Sequence, residues 1–84
     1  MVRIVYLARL RDAFGTSAEQ VDLPGDIGTV AVLLAWLRTR GGVWAHELAS
    51  GRAVRVAVNH DIALPTTPIQ RDDEVALFPP VTGG

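Results

Sequence analysis

The hydrophobic pattern changes period along this chain. From Val2 to Ala8, β-branched and aromatic residues dominate, with Val2, Ile4 and Tyr6 on one face and Arg3, Val5 and Leu7 on the other. Such a run predicts a strand that carries apolar groups on both faces. "RLRDAFG" follows as a short helical turn, with Gly15 placed to close it as a C-cap. Ser17 to Leu23 reads as a second strand and hairpin partner of the first, and "PGDIG" punctuates its end.

From Thr29 the spacing turns helical. Val30, Leu33, Leu34 and Leu37 recur at i, i+3, i+4 and i+7, one apolar stripe behind an N-capping threonine. Arg38 and Arg40 are expected in the last turn, where cations suit the helix dipole, and Gly41-Gly42 is expected to stop the helix. Trp36 falls off the stripe and should be half covered. Residues 43–50 form a further short helix with Trp44 and Leu48 inward. Ala53 to Val58 alternates again, with Val54, Val56 and Val58 opposite Arg55 and Ala57. "NHD" is a turn whose Asn and Asp tolerate left-handed backbone. Ile62 to Leu64 is a short strand, "PTTP" cannot continue a central ladder, and "IQRDDE" is a polar turn. Glu74 to Phe78 is the last strand, with Val75 and Leu77 on one face and Ala76 and Phe78 on the other.

This order predicts an α+β fold of the β-grasp (ubiquitin-like) type. One main helix packs across one face of a mixed sheet, and the first and last strands pair in parallel at its centre. The opposite face then has no element to cover it. Leu7 and Phe78 would lie exposed on adjacent strands beside Val5 and Ala76, an apolar patch of the kind that marks a partner's footprint. Residues 1–79 are expected to form the domain and 80–84 an extended tail.

Composition narrows the chemistry. The chain contains no cysteine, which removes disulfides, thiolate metal sites and a cysteine nucleophile at once. It also favours a cytoplasmic setting. The opening "MVRIVYLARLRDAFG" has no long apolar run of the signal-peptide kind, and no segment is apolar over a membrane-spanning length. Net charge is −1 with basic residues scattered, so neither a nucleic acid nor a membrane is expected as partner. His46 and His60 lack the spacing of a metal motif, and Asp72, Asp73 and Glu74 read as a solvated acidic corner rather than a calcium loop. No phosphate-cradling glycine loop is present. Neither serine has a nucleophile context. As an enzyme acting alone the chain is poorly equipped. All eight basic residues are Arg and none is Lys. A GC-rich genome would explain this, as would an activated C-terminus that gains from having no lysine amine nearby.

The residues "FPPVTGG" carry the sharpest signal. Pro79-Pro80 fixes two φ angles, so the chain leaves its last strand stiff and extended. Val81 to Gly84 then reach roughly 13–14 Å, at about 3.3–3.6 Å per residue. Gly83 and Gly84 lack a Cβ and can pass a narrow channel. A terminal glycine carboxylate is unhindered for attack on a nucleotide phosphate.

The run "DEVALFPPVTGG" closely resembles the C-terminus of the small subunits of molybdopterin synthase, the sulfur carriers of molybdenum-cofactor synthesis. "VRIVYLA", "LRDAFG", the capped helix after Thr29 and "VAVN" at 56–59 extend the resemblance over the chain. Asp72 stands where that family usually has Gly, a change that the left-handed tolerance of Asp accommodates, and Leu7 occupies a position that is often aromatic. The resemblance implies a non-catalytic, sulfur-carrying subunit with no bound cofactor. An ATP-dependent activating enzyme would adenylate Gly84, and a sulfur donor protein would convert it to a thiocarboxylate. Val81, Thr82 and Gly83 would insert into the large catalytic subunit to convert a cyclic pyranopterin precursor. Leu7, Ile62, Phe78, Pro79 and Pro80 would form the docking surface, with two small subunits on a large-subunit dimer, a heterotetramer. A sulfur carrier of thiamine synthesis, a ubiquitin-like protein modifier and a plain β-grasp interaction module are the alternatives.

Overall fold

The computed structural model describes residues 1–80. Its elements run β1 (Val2–Tyr6), α1 (Arg9–Phe14), β2 (Ala18–Val21), α2 (Val30–Arg38), α3 (Gly42–Glu47), β3 (Arg55–Val58), β4 (Asp61–Ile62) and β5 (Glu74–Phe78). The five strands form one mixed sheet in the order β2-β1-β5-β3-β4. β1 and β5 pair in parallel at its centre, with Ile4 opposite Val75 and Tyr6 opposite Leu77. β2 and β3 flank them antiparallel. This is the β-grasp arrangement.

The helices cover one face. Ile4, Tyr6, Leu10, Leu33, Leu37, Val75 and Leu77 are fully enclosed and form the centre of the core. Val30 joins them, while Leu34 packs only partly, because the i+4 position of the stripe lies at its margin. The N-terminus of α2 shows how its orphan amides are satisfied. The Thr29 hydroxyl accepts from the Val32 amide, while the Val30 and Ala31 amides donate to the carbonyls of Thr67 (3.0 Å) and Pro65 (2.9 Å). The "PTTP" segment therefore caps the main helix instead of extending a strand. Ile69 is buried in the core although its surroundings in sequence are polar, and its amide bonds the Gly28 carbonyl at 3.0 Å.

Several boundaries differ from the sequence expectation. β1 stops at Tyr6, because Ala8 turns the chain at φ 53° and ψ −129°. β4 covers Asp61–Ile62 instead of Ile62–Leu64. α2 ends at Arg38, so Arg40 lies beyond the last turn and serves an ion pair, while Gly41 precedes α3. Left-handed backbone occurs as expected at Gly15 (φ 72°), Asn59 (φ 50°) and Asp72 (φ 68°), whereas Asp61 of the "NHD" turn is extended and begins β4. His60 joins them at φ 73°.

Candidate functional site at the open sheet face and the C-terminal exit

Residues opposite one another on neighbouring strands share a face, and the register therefore defines a line across the uncovered side. Ala18, Val5, Ala76, Ala57 and Ile62 stand side by side from β2 to β4. Small side chains in the middle keep this row flat. Ile62 at its edge is 70% exposed. One step toward the start of β5 lies a polar row, in which Arg3 Nε and His60 Nε2 approach Glu74 at 3.5 and 3.6 Å. One step toward its end lie Phe78 and, opposite it on β3, Arg55. Leu7, 42% exposed, continues β1 here, its amide donating a hydrogen bond of 3.0 Å to the Leu77 carbonyl. The apolar row is thus bounded by charge on one side and leads to the chain's exit on the other.

The exit has its own architecture. Pro79 and Pro80 are half-buried and form one wall of an open depression completed by Arg9, Gly51, Arg52 and Ala53. Glu47 at the end of α3 is almost wholly buried, and its Oε1 meets Arg52 Nη2 at 3.1 Å and Arg9 Nε at 3.7 Å. One buried carboxylate therefore holds two guanidinium groups beside the emerging chain.

A second polar network lies at the other side of the core. The Tyr6 hydroxyl donates to Glu19 Oε2 at 2.7 Å, and Arg40 grips the same carboxylate through two bonds of 2.9 and 3.0 Å. Phe14 stacks flat on Trp44, Tyr6 meets both edge-on, and the Arg40 guanidinium lies 4.5 Å from the Trp44 ring centre. Burial pushes the Tyr6 phenol far above its ordinary range, and the Glu19 carboxylate adds to this. The Arg40 hydrogen bonds hold the Glu19 carboxyl below the usual range against a smaller opposing effect of burial. This network closes the α1–α3 side of the sheet, and its role is structural.

Of the residues the sequence singles out, Leu7, Phe78, Pro79 and Pro80 come together at the exit, and Ile62 sits at the far end of the apolar row. Val81, Thr82, Gly83 and Gly84 lie outside the described residues. His46 and His60 are exposed, and among the described residues no group of three or more His, Asp or Glu gathers as a metal site. Asp73 is more than part of a solvated corner, since its carboxylate accepts from the Gln70 amide (2.8 Å) and the Asn59 side chain (2.9 Å). The grouping of Arg9, Arg52 and Glu47 has no local signal in sequence, because the three come from separate segments.

A ubiquitin-like β-grasp body with an open apolar sheet face, and a proline-stiffened chain leaving its central strand, defines the class. The chain belongs to the ThiS family, whose model matches residues 4–84. It is 36% identical over 84 residues to the molybdopterin synthase sulfur carrier subunit of Escherichia coli K12, with all of both chains covered. The corresponding subunit of Haemophilus influenzae is 32% identical over the same full length. Among solved structures, SAMP1 of Haloferax volcanii superposes with a TM-score of 0.71 at 30% identity, covering 99% of this chain and 98% of that one.

Proposed function

We propose that this protein is the sulfur carrier subunit of a molybdopterin synthase, with residues 1–79 as its body and 80–84 as its working tail. The observation that carries the reading is the exit: a parallel central strand delivers Pro79-Pro80 to the margin of an open apolar row. Full-length similarity to two molybdopterin synthase sulfur carrier subunits supports it.

In this reading the Gly84 carboxylate attacks the α-phosphate of ATP on an activating enzyme and displaces pyrophosphate. A sulfur donor then replaces AMP, leaving a thiocarboxylate. The tail, Val81 to Gly84, enters the large catalytic subunit and delivers the sulfur to the pterin precursor. The body contributes position alone. Leu7, Ile62 and Phe78 dock, and Pro79-Pro80 sets the direction in which the chain leaves the last strand. The rigidity of that pair lowers the ordering cost of insertion. The protein is a non-catalytic subunit that works in the cytoplasm and binds no resident cofactor.

Intact mass spectrometry after incubation with ATP, the activating enzyme and a sulfur source tests this. The expected product is heavier by the difference between sulfur and oxygen, and removal of Gly84 abolishes it. An unchanged mass under those conditions would sink the reading. The likeness to SAMP1, described as a small archaeal modifier protein, favours a second reading as a protein modifier. That reading predicts covalent conjugates of this chain on other proteins, visible on denaturing gels as bands that require Gly84.

A further inference from the structure

The net charge of −1 hides a strong polarity along the sheet. β1 and β5 both begin at one end and both finish at the other, while β3 runs the opposite way. At the starting end Asp22, Asp61, Asp72, Asp73 and Glu74 outnumber Arg3, Arg71 and the N-terminal ammonium, which lies 3.6 Å from Asp72, with His60 beside Glu74. At the exit end Arg9 and Arg52 pair with Glu47, Arg11 pairs with Asp12 within α1, and Arg55 adds a further positive charge. Arg55 stands opposite Phe78 on the open face and forms no ion pair among the described residues. Arg9 and Arg52 stand on the other side of the chain, where they line the depression against Pro79 and Pro80. The root of the tail is therefore ringed by guanidinium groups on both sides.

Glu47 does not cancel this ring. Its Oε1 accepts a hydrogen bond from Arg52 and forms an ion pair with Arg9 at 3.7 Å, and its own side chain is 11% exposed against 49% and 37% for Arg9 and Arg52. The carboxylate is enclosed while both arginine side chains stay partly exposed. It fixes the two forks and leaves them available, as suits planar recognition of carboxylates.

We propose that Arg9, Arg52 and Arg55 form an electrostatic docking ring, and that its occupant is a set of carboxylates around the tail-receiving channel of the ATP-dependent activating enzyme. The inference rests on the sulfur-carrier reading above. That reading requires the same tail to visit two proteins in turn, and the visit to the activating enzyme must end once the terminus is modified. Rim charges suit such a visit. They raise the encounter rate and orient the partners, while adding less to the lifetime of the complex. The flat apolar row is the surface suited to longer residence. With the ring at the root and a reach of roughly 13–14 Å beyond it, a protein guided by the arginines receives the tail already aligned.

The test is the association rate of the full chain with the activating enzyme, measured by stopped flow at low and high salt beside pyrophosphate release with ATP. Arg55→Glu is the cleanest variant, because it breaks no ion pair. Arg9→Gln with Arg52→Gln is the second, with its melting curve recorded because it strips Glu47 of its partners. Arg71→Glu, at the opposite end, is the control. At low salt Arg55→Glu and the double variant should associate about tenfold more slowly, the lower end of the usual steering range. The deficit should vanish at high salt, and Arg71→Glu should match the native chain. Equal rates for all chains at low salt would overturn the ring, as would an equal loss in Arg71→Glu. A loss confined to binding of the large synthase subunit would overturn the assignment of its partner. Absence of pyrophosphate release from the native chain would instead count against the sulfur-carrier reading itself.

Discussion

The amide of Leu7 donates to the carbonyl of Leu77 at 3.0 Å, so the first and last strands remain joined up to the residue before Phe78. This bond couples two surfaces. It holds Leu7 on the open face and anchors the point from which Pro79-Pro80 leaves, so the open face and the chain's exit are set by the same pair of strands.

Docking should therefore be separable from folding. Ile62 is 70% exposed and Leu7 42%, so Ile62→Asp and Leu7→Asp should change stability by no more than about 1 kcal/mol. Binding to the large synthase subunit should weaken by about 2 kcal/mol or more, the scale of a buried interface anchor. Calorimetric titration checks this. Retention of native affinity by both variants would remove the open face from the docking surface.

Ala8 is held at φ 53° and ψ −129°, and the Leu10 amide closes the turn onto the Leu7 carbonyl at 3.1 Å. This is the first central position of a type II′ turn, where glycine is favoured. Strain of this kind costs roughly 1–3 kcal/mol, offset in part by the entropy that glycine adds to the unfolded chain. Ala8→Gly should raise stability by about 1 kcal/mol, or roughly 4–8 °C in Tm for a domain of this size. A lower Tm would contradict the strained turn.

Tyr6 gives a clean alkaline prediction. The chain has one tyrosine, no lysine and no cysteine, so between about pH 9 and 12 no other side chain titrates. Burial raises the folded phenol far above its ordinary pKa of 10.0. The unfolded chain ionises there while the folded chain stays neutral. Stability is complete below about pH 10 and falls above it by up to about 1.4 kcal/mol per pH unit. Tyr6→Phe should be less stable at neutral pH by about 1 kcal/mol but flat across that window. Denaturant melts against pH measure both, and phenolate absorbance in the native chain should appear only with unfolding.

Glu19 works in the opposite sense. Its folded carboxyl is held below the ordinary value of 4.5 chiefly by Arg40, so its contribution is present above that value and lost as pH falls below it. Arg40→Gln should lower stability by about 1 kcal/mol at neutral pH and make the acid limb shallower. An unchanged acid limb would show that the ion pair is uncoupled from folding.

The absence of lysine has a chemical test. Ala53 is exposed and lines the depression beside Pro79-Pro80, within the tail's reach of roughly 13–14 Å. With ATP and the activating enzyme but no sulfur donor, Ala53→Lys should accumulate a species lighter by one water. That species is an amide between the introduced side-chain amine and the Gly84 acyl group, formed with release of AMP. The native chain should not form it. Equal behaviour of the two would leave codon bias as the explanation.

The local elements were legible in the sequence because their signals are local. The stripe Val30, Leu33 and Leu37, the Thr29 cap, the Gly15 C-cap and the alternation of Val75 and Leu77 each depend on neighbours within a few residues, and each has its expected place. The open face was legible too, since Val5, Leu7 and Phe78 are apolar on strands whose other faces already fill the core. The C-terminal motif needed no tertiary information at all.

Only the tertiary structure decided what depends on register and on separate segments meeting. Ile69 lies among polar neighbours, yet the loop that carries it is pinned to Gly28 and turned inward. Arg40 follows the main helix in sequence but belongs to Glu19 of β2, and Asp73 belongs to Asn59. The five-residue apolar row exists because four strand pairings bring single residues into line. The arginine ring exists because α1, the α3–β3 connection and the start of β3 all reach the end of β5. Charge in a sequence carries no direction. Parallel pairing of the first and last strands gave it one, and left the basic end where the chain emerges.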